Sequence, residues 1–174
     1  MDVNEVYLEL FGRIPPLVRR AVDGLDAGVL TRAPKPGANP VGWLVWHLTR
    51  VQDHHVSELL GRPQLWVDED WSQRFGLTPD PWNLGFGHKP ADVATVRPES
   101  AEALIEYHDA VYARTRPLLE GLTVESLAEV VDENWDPPVT LGVRLVSIAD
   151  DCLQHVGQAA YVRGLVNEGW HIGY

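Results

Sequence analysis

The sequence is poor in the residue from which disulfides and thiolate metal sites are built. Cys152 is its only cysteine, which excludes an intramolecular disulfide and a zinc site made of several cysteines. Any metal site in this chain must therefore draw on histidine and carboxylate ligands.

Basic residues are also scarce. Lysine and arginine together number 14 against 25 acidic residues, and the formal net charge is −11. Nucleic-acid binding draws on clustered basic side chains, so we expect no nucleic-acid partner.

Long apolar runs are missing as well, since none approaches the roughly 20 residues that a membrane span needs. The amino terminus, "MDVNEVYLELFGRIPP", carries acids where a secretory signal carries bases. We therefore expect a cytoplasmic protein that does not enter the membrane.

What the chain does contain is helical periodicity. With 174 residues, 45% of them hydrophobic and 22% charged, it predicts a single globular domain over residues 1–174. No segment shows the period-two alternation of a strand. Pro15 and Pro16 predict that the first helical stretch is kinked or divided in two. The sequence therefore predicts an all-α four-helix bundle, with helical segments at residues 3–25 and at about residues 40–61, 98–121 and 141–167.

The predicted connection between the second and third helices, residues 63–97, is far longer than bundle connections usually are. It carries Trp66, Trp71, Trp82 and Phe86, which we expect to be removed from water. We predict a crossover that packs over one end of the bundle and roofs a pocket. The alternative is that its aromatic side chains only complete the core.

Acidic and imidazole side chains interrupt the last helix. At about 100° per residue, Asp151 lies about 40° from His155 on the inward face, whereas Asp150 points outward. An ionised carboxylate on a buried face costs several kcal/mol unless something pairs with it. Asp151 therefore needs a partner.

A metal ion is one such partner, because a carboxylate and an imidazole at i and i+4 can both reach it. His47, on the flank of the apolar stripe of the second helix, offers a third ligand, and His54 lies two turns further along the same edge. Two histidines and one aspartate leave positions open on zinc, nickel or iron(II), as catalytic sites do. The alternative is a metal-free hydrogen bond between Asp151 and His155, extended by Gln158.

Three other candidates are predicted to be structural. His108 and His55 lie on apolar helix faces, which favours core packing; for His108 the alternative is substrate contact or a fourth metal ligand. Cys152 faces inward with no adjacent base, which favours a buried structural thiol over a nucleophile.

The segments "VWHLTRVQ" and "DDCLQHVGQAAYVRGL", on the second and fourth predicted helices, resemble the DinB/YfiT-like superfamily of metalloenzymes. In that superfamily one metal ion is bound by a histidine in an "HL" step and by an "HxxxHxGQ" or "ExxxHxGH" pattern in the last helix. The resemblance matches His47, Asp151 and His155 to the three ligands. Asp151 departs from the pattern, since histidine is commoner there, or glutamate in the branch similar to mycothiol-dependent maleylpyruvate isomerase.

The resemblance implies a function. Characterised branches use a divalent metal to bind mycothiol or bacillithiol and to present its thiolate to an electrophile. It therefore implies a metal-dependent thiol S-transferase or isomerase, with a small thiol and an electrophile as partners. The same ligands would also allow a metal-dependent hydrolase, or a non-catalytic metal- or ligand-binding bundle of a stress response.

Further expectations concern ligand contacts and assembly. Arg144, on the face of Asp151, could hold a carboxylate of the thiol, although a structural ion pair is the equal alternative. His54 is expected to contact substrate as well. His88, in "GFGHKP", would enter the pocket if the crossover closes over it; an exposed loop position is the alternative. Bundles of this size often pair through an exposed face, so we expect a homodimer.

Overall fold

Helices dominate the computed structural model, which describes residues 1–167, 169 and 170. The predicted all-α bundle is confirmed: the first segment, divided in two, packs with three long helices. None of the described helices combines the length and apolar character of a membrane span. In chain order the helices are α1 (Val3–Gly12), α2 (Ile14–Val22), α3 (Ala27–Leu30), α4 (Val41–Leu60), α5 (Leu65–Asp68), α6 (Pro90–Val93), α7 (Ala101–Glu120) and α8 (Leu141–Val166).

Local sequence explains where these helices begin and end. The first helical stretch divides at Arg13, and Pro15 stands in the first turn of α2, where its missing N–H is tolerated. α4 ends at Leu60, and the following Gly61 caps it with a φ of 60°, which suits glycine. The side chain of Thr140 caps α8 by accepting a hydrogen bond from the backbone N–H of Val143.

A small hairpin precedes α8, although no segment of the sequence shows the period-two alternation of a strand. β1 (Val130–Asp132) pairs antiparallel with β2 (Val139–Thr140). These strands are too short to show an alternating pattern in the sequence. The hairpin brings Asp132 next to α8, where it meets Arg144.

The pairing of α4 with α8 forms the centre of the bundle. The two helices run antiparallel, because His47 near the start of α4 faces Asp151, whereas His55 near its end meets Arg144 from the start of α8. Residues on one edge of α4 therefore share a groove with residues of α8.

The crossover contains α5, a 3-10 segment (Asp70–Phe75) and α6 rather than one irregular loop. Trp66 is buried and Trp71 half-buried. The expectation of burial is wrong for Trp82, which is 78% exposed, and for Phe86, which is 95% exposed. Both lie where the crossover passes along α4 with these side chains directed outward.

A buried cation fixes the crossover in this position. Arg50 of α4 is completely buried, and its guanidinium donates to the carbonyls of Asn83 and Pro81, both at 3.2 Å, and to Oε1 of Gln64 at 2.8 Å. Each of these acceptors belongs to the crossover. One side chain of α4 thus binds two carbonyl groups of the irregular crossover backbone.

Asp53, one turn further along α4, holds the start of the crossover. Its carboxylate accepts the backbone N–H groups of Leu65 at 3.0 Å and Trp66 at 2.9 Å, and the hydroxyl of Tyr107 at 2.8 Å. Oδ2 also lies 3.5 Å from Nη1 of Arg50. The buried ion pair is therefore satisfied by further hydrogen bonds, as such pairs require.

Candidate metal centre

Three side chains from α4 and α8 converge at one level of the groove. The Nε2 atoms of His47 and His155 lie 3.7 and 3.5 Å from Oδ1 of Asp151. The two imidazole centroids are 4.6 Å apart. The structure therefore brings together the three residues that the sequence analysis singled out as metal ligands.

The crossover fixes the orientation of His47. The Nδ1–H group of this histidine donates to the carbonyl of Leu84. The ring also stacks on Trp43, with centroids 4.8 Å apart and planes 13° from parallel. A proton on Nδ1 leaves a lone pair on Nε2, the atom that faces Asp151, and this is the arrangement of a metal-binding histidine held by an outer hydrogen bond.

The imidazole of His155 is also held with Nε2 towards Asp151, in this case by a residue of its own helix. Its Nδ1 lies 3.0 Å from Oε1 of Gln158, an acceptor, so Nδ1 carries the proton. The lone pair of its Nε2 then faces Asp151. Gln158 thus acts on His155 as the Leu84 carbonyl acts on His47.

The three groups that converge here would be stabilised by a cation. The Nε2–Oδ1 distances of 3.5 and 3.7 Å are too long for hydrogen bonds. Oδ2 of Asp151 is buried and has no hydrogen-bond partner among the described residues. Two imidazole lone pairs and a carboxylate therefore face one another, and a positive charge placed between them would relieve their repulsion.

The titration behaviour follows from these contacts. Without a metal ion, a proton on Nε2 of either histidine supplies this positive charge: burial opposes ionisation of Asp151, yet proton donation from His155 and His47 lowers its pKa to about 2. The Asp151 carboxylate in turn raises the pKa of His155, against the effect of burial. The site thus keeps its carboxylate ionised and attracts positive charge.

Gly85 allows the crossover to approach His47 closely. Its φ is +92°, and a Cβ atom there would lie 2.9 Å from Trp43, 3.0 Å from Nδ1 of His47 and 3.0 Å from Trp46. Only glycine fits this backbone conformation and this space without displacement. Gly85 therefore lets the preceding Leu84 carbonyl reach the imidazole.

The neighbours of Asp151 in sequence have different environments. Asp150 is exposed and accepts a hydrogen bond from Gln154 at 2.7 Å. Cys152 is fully buried, and its thiol contacts the Leu48 carbonyl at 3.6 Å. Burial raises the pKa of Cys152 well above its usual value, so this thiol is a poor nucleophile.

A second histidine group, formed by His54, His55 and Glu58, lies further along α4. The amide oxygen of Gln64 accepts from Arg50, so its amide nitrogen donates to Nδ1 of His54 at 2.9 Å. Nδ1 of His55 is likewise 3.3 Å from a guanidinium nitrogen of Arg144. Both imidazoles therefore accept at Nδ1 and carry their proton on Nε2.

This proton placement is the reverse of that in the first group. Burial lowers the pKa of His54, and burial followed by the charge of Arg144 lowers the pKa of His55 to about 4. Both rings are thus neutral, and their outward Nε2 atoms are donors. The second group is suited to hydrogen-bond acceptors rather than to a metal ion.

Arg144 is already engaged by the protein. Its guanidinium donates to Oδ2 of Asp132 at 2.7 Å, and the two side chains are largely buried. This is the structural ion pair that the sequence left open as an alternative to ligand binding.

His88 lies beside His47 without joining it. Its Nδ1 accepts from the indole N–H of Trp43 at 3.2 Å, and its Nε2 lies 2.9 Å from Oδ1 of Asn83. Both ring nitrogens are therefore used within the protein. His88 is a half-buried support of the crossover in this structure.

His108 is completely buried on α7, and its Nδ1 lies 3.4 Å from the hydroxyl of Thr49. Burial lowers its pKa to about 4. The side chain is thus a neutral core histidine.

Sequence reasoning missed Arg50, Asp53 and the backbone at Leu84 and Gly85. A signal for the first two was present, because Arg50 and Asp53 are oppositely charged residues at i and i+3 in the middle of one helix. The backbone carbonyl of Leu84 has no signature in sequence, although the glycines on both sides of Phe86 marked a stretch of special backbone conformation.

Comparisons with known proteins identify the family and the fold of the chain. The family model described as mycothiol-S-transferase matches residues 16–168. A solved structure described as a conserved protein from Enterococcus faecalis is similar with a TM-score of 0.86 and 34% identity, covering 95% of this chain and 98% of that one. No curated protein matches the chain.

Proposed function

The chain belongs to the mycothiol-S-transferase family, and from that premise we propose that it is a divalent-metal-dependent S-transferase that joins the sulfur of mycothiol to a small electrophile. The family supports a transferase related to mycothiol. The dependence on a metal and the roles of individual residues are our proposal.

One observation carries the proposal. The Nε2 lone pairs of His47 and His155 and the carboxylate of Asp151 face one another, and the buried Oδ2 has no hydrogen-bond partner among the described residues. This donor set fits a divalent ion such as zinc, nickel or iron(II), with positions left for an exogenous ligand. His47, Asp151 and His155 would hold it.

A divalent ion bound there would lower the pKa of a thiol and so keep thiolate available near pH 7. The protein's own residues supply the support. Leu84 and Gln158 fix the tautomers of the two histidines. Cys152 is buried with a raised pKa, so the nucleophilic sulfur must come from outside.

The transfer balances without any oxidant or reductant. The thiol releases its proton, and a sulfur electron pair forms a bond to the electrophilic carbon. The leaving group departs with the electrons of its own bond, or an unsaturated acceptor takes up a proton instead. The product is a thioether of mycothiol.

Metal analysis of purified protein tests the ligand set. We expect one divalent ion per wild-type chain and little in His155→Ala. Asp150→Asn is the matched control, because the exposed Asp150 lies next to a proposed ligand but points away from it. Equal metal content in wild type and His155→Ala would contradict the assignment.

Cobalt substitution tests the role of the thiol. Adding mycothiol to the cobalt form should produce a sulfur-to-metal charge-transfer band, and Cys152→Ser should retain it. A band that forms without added thiol and is lost in Cys152→Ser would instead make the protein's own cysteine a ligand. Full metal occupancy without any thiol-dependent band would refute the thiolate mechanism.

A further inference from the structure

Trp82 is an exposed aromatic side chain on a firmly held backbone. Its indole is 78% exposed, yet the carbonyl before it accepts from both Arg50 at 3.2 Å and Gln64 at 3.1 Å. The carbonyl after it accepts from Arg50 at 3.2 Å. An indole on a backbone that is already fixed can contact a ligand without the entropic cost of ordering a mobile loop.

The indole borders a depression of about 290 Å³, close to the lower limit of roughly 300 Å³ for small-ligand pockets. His54 lies against Trp82, with ring centroids 5.6 Å apart. The other polar side chains along this depression include Glu58, Arg62 and Gln64. An aromatic wall thus stands beside several hydrogen-bonding groups.

The polar groups of the depression match an uncharged ligand that is rich in hydroxyls. His54 is neutral and offers an Nε2–H donor, because Gln64 occupies its Nδ1. The charges of Glu58 and Arg62 are opposite, so neither an anion nor a cation is favoured overall. A hydroxyl group both donates and accepts, and can therefore use a carboxylate, a guanidinium and an imidazole N–H together.

We propose that this depression, formed by Trp82, His54, Glu58, Arg62 and Gln64, binds the sugar portion of the thiol whose sulfur reacts at the His47–Asp151–His155 site. The inference rests on the proposed function. The apolar C–H face of a sugar ring packs on an exposed indole, and its hydroxyls bond the polar groups around it. Mycothiol, a cysteine derivative of an amino sugar joined to inositol, has this chemistry and carries no carboxylate.

The distance between the proposed metal site and the depression beside Trp82 fits the distance between the sulfur and the sugar of mycothiol. His47 and His54 lie on the same edge of α4, two turns apart, which is about 10 Å at a rise of 1.5 Å per residue. A cysteinyl arm of ordinary bond lengths places the sugar ring roughly 6 to 10 Å from its sulfur. The crossover segment between Pro81 and His88 borders both places.

Two probes separate the sugar contact from the sulfur contact. N-acetylcysteine has the thiol without the sugar, and S-methyl mycothiol has the sugar with its thiol blocked. Calorimetry on the metal-loaded full chain should show mycothiol binding at least about tenfold more tightly than N-acetylcysteine. Trp82→Ala should weaken mycothiol and S-methyl mycothiol about five- to tenfold, the loss of one aromatic contact, and leave N-acetylcysteine unchanged.

Trp135→Ala is the matched control, because Trp135 is also an exposed indole, at 65%, but lies in the hairpin before α8. It should change none of the three affinities. Glu58→Gln should weaken the two sugar-containing probes, since the amide accepts hydroxyl hydrogens less strongly than the carboxylate.

The outcomes distinguish this inference from the proposed function. If both thiols give the charge-transfer band with equal affinity, or if Trp82→Ala weakens N-acetylcysteine as much as mycothiol, the sugar site is refuted and the S-transferase stands. If no thiol gives the band but S-methyl mycothiol binds and depends on Trp82, the sugar site stands and the thiolate mechanism fails.

Discussion

Gly85→Ala tests whether the crossover positions a metal ligand. The change adds a single methyl group at a residue that lies outside the proposed ligand set. That methyl group would lie 2.9 Å from Trp43, 3.0 Å from Nδ1 of His47 and 3.0 Å from Trp46. It can be accommodated only if the backbone at Leu84 withdraws or the imidazole turns.

The magnitude follows from two contributions. A non-glycine residue in the left-handed region costs roughly 1–2 kcal/mol, and overpacking a well-filled site costs typically about 1–3 kcal/mol. We therefore expect Gly85→Ala to lower the free energy of unfolding by about 2–5 kcal/mol. Loss of the carbonyl that orients His47 should weaken metal binding by roughly 10- to 100-fold.

Gly87→Ala separates strain from crowding. Gly87 also has a positive φ, +75°, but a Cβ there meets no described atom within 4 Å. This control should lose only the roughly 1–2 kcal/mol of backbone strain and keep its metal affinity.

Urea unfolding in the presence of a chelator measures the free energy of unfolding of the metal-free protein. Competition with a chromophoric zinc chelator measures the metal affinity. If Gly85→Ala and Gly87→Ala have the same metal affinity, the crossover does not position His47, and the argument from the Leu84 carbonyl is wrong.

Two further predictions concern acid sensitivity and assembly. Burial lowers the pKa of His108 in the folded protein to about 4, below its value of about 6.5 in the unfolded chain. Protons therefore bind the unfolded chain more readily, and the free energy of unfolding declines as pH falls from 6.5 towards 4. Between pH 8 and pH 5 the free energy of unfolding, measured with urea, should fall by about 2 kcal/mol more in the metal-free wild type than in His108→Gln. Equal decreases in the two proteins would show that His108 is not the cause. We also expect a homodimer, because apolar side chains on the outer face of α8, such as Val146 and Tyr161, are more than half exposed; a monomer mass in light scattering across a tenfold concentration range would contradict it.

Helical phase explains why much of the fold and the central site could be predicted. Once a segment is helical, the rotation of about 100° per residue decides which side chains face inward. Asp151 and His155 were thereby placed together and Asp150 apart from them. His47 required only that α4 pack against α8, which the bundle imposes.

The crossover could not be predicted in the same way, because contacts distant in sequence decide its course. Trp82 is exposed since Arg50 holds the carbonyls on both sides of it, and no local pattern reports that arrangement. Arg144 was ambiguous for a similar reason. Its partner Asp132 belongs to a hairpin too short to leave a periodic signal.

The buried guanidinium of Arg50 has a consequence for how the protein opens. The guanidinium is completely buried, and moving the crossover away from α4 would break its hydrogen bonds to Asn83, Gln64 and Pro81 all at once. Such a segment does not fray residue by residue, so it joins the cooperative unit of the bundle. The amide protons of Leu65 and Trp66, held by Asp53, should then exchange with solvent only as slowly as those of α4 itself, and ligands must enter over a fixed wall rather than through a hinged lid.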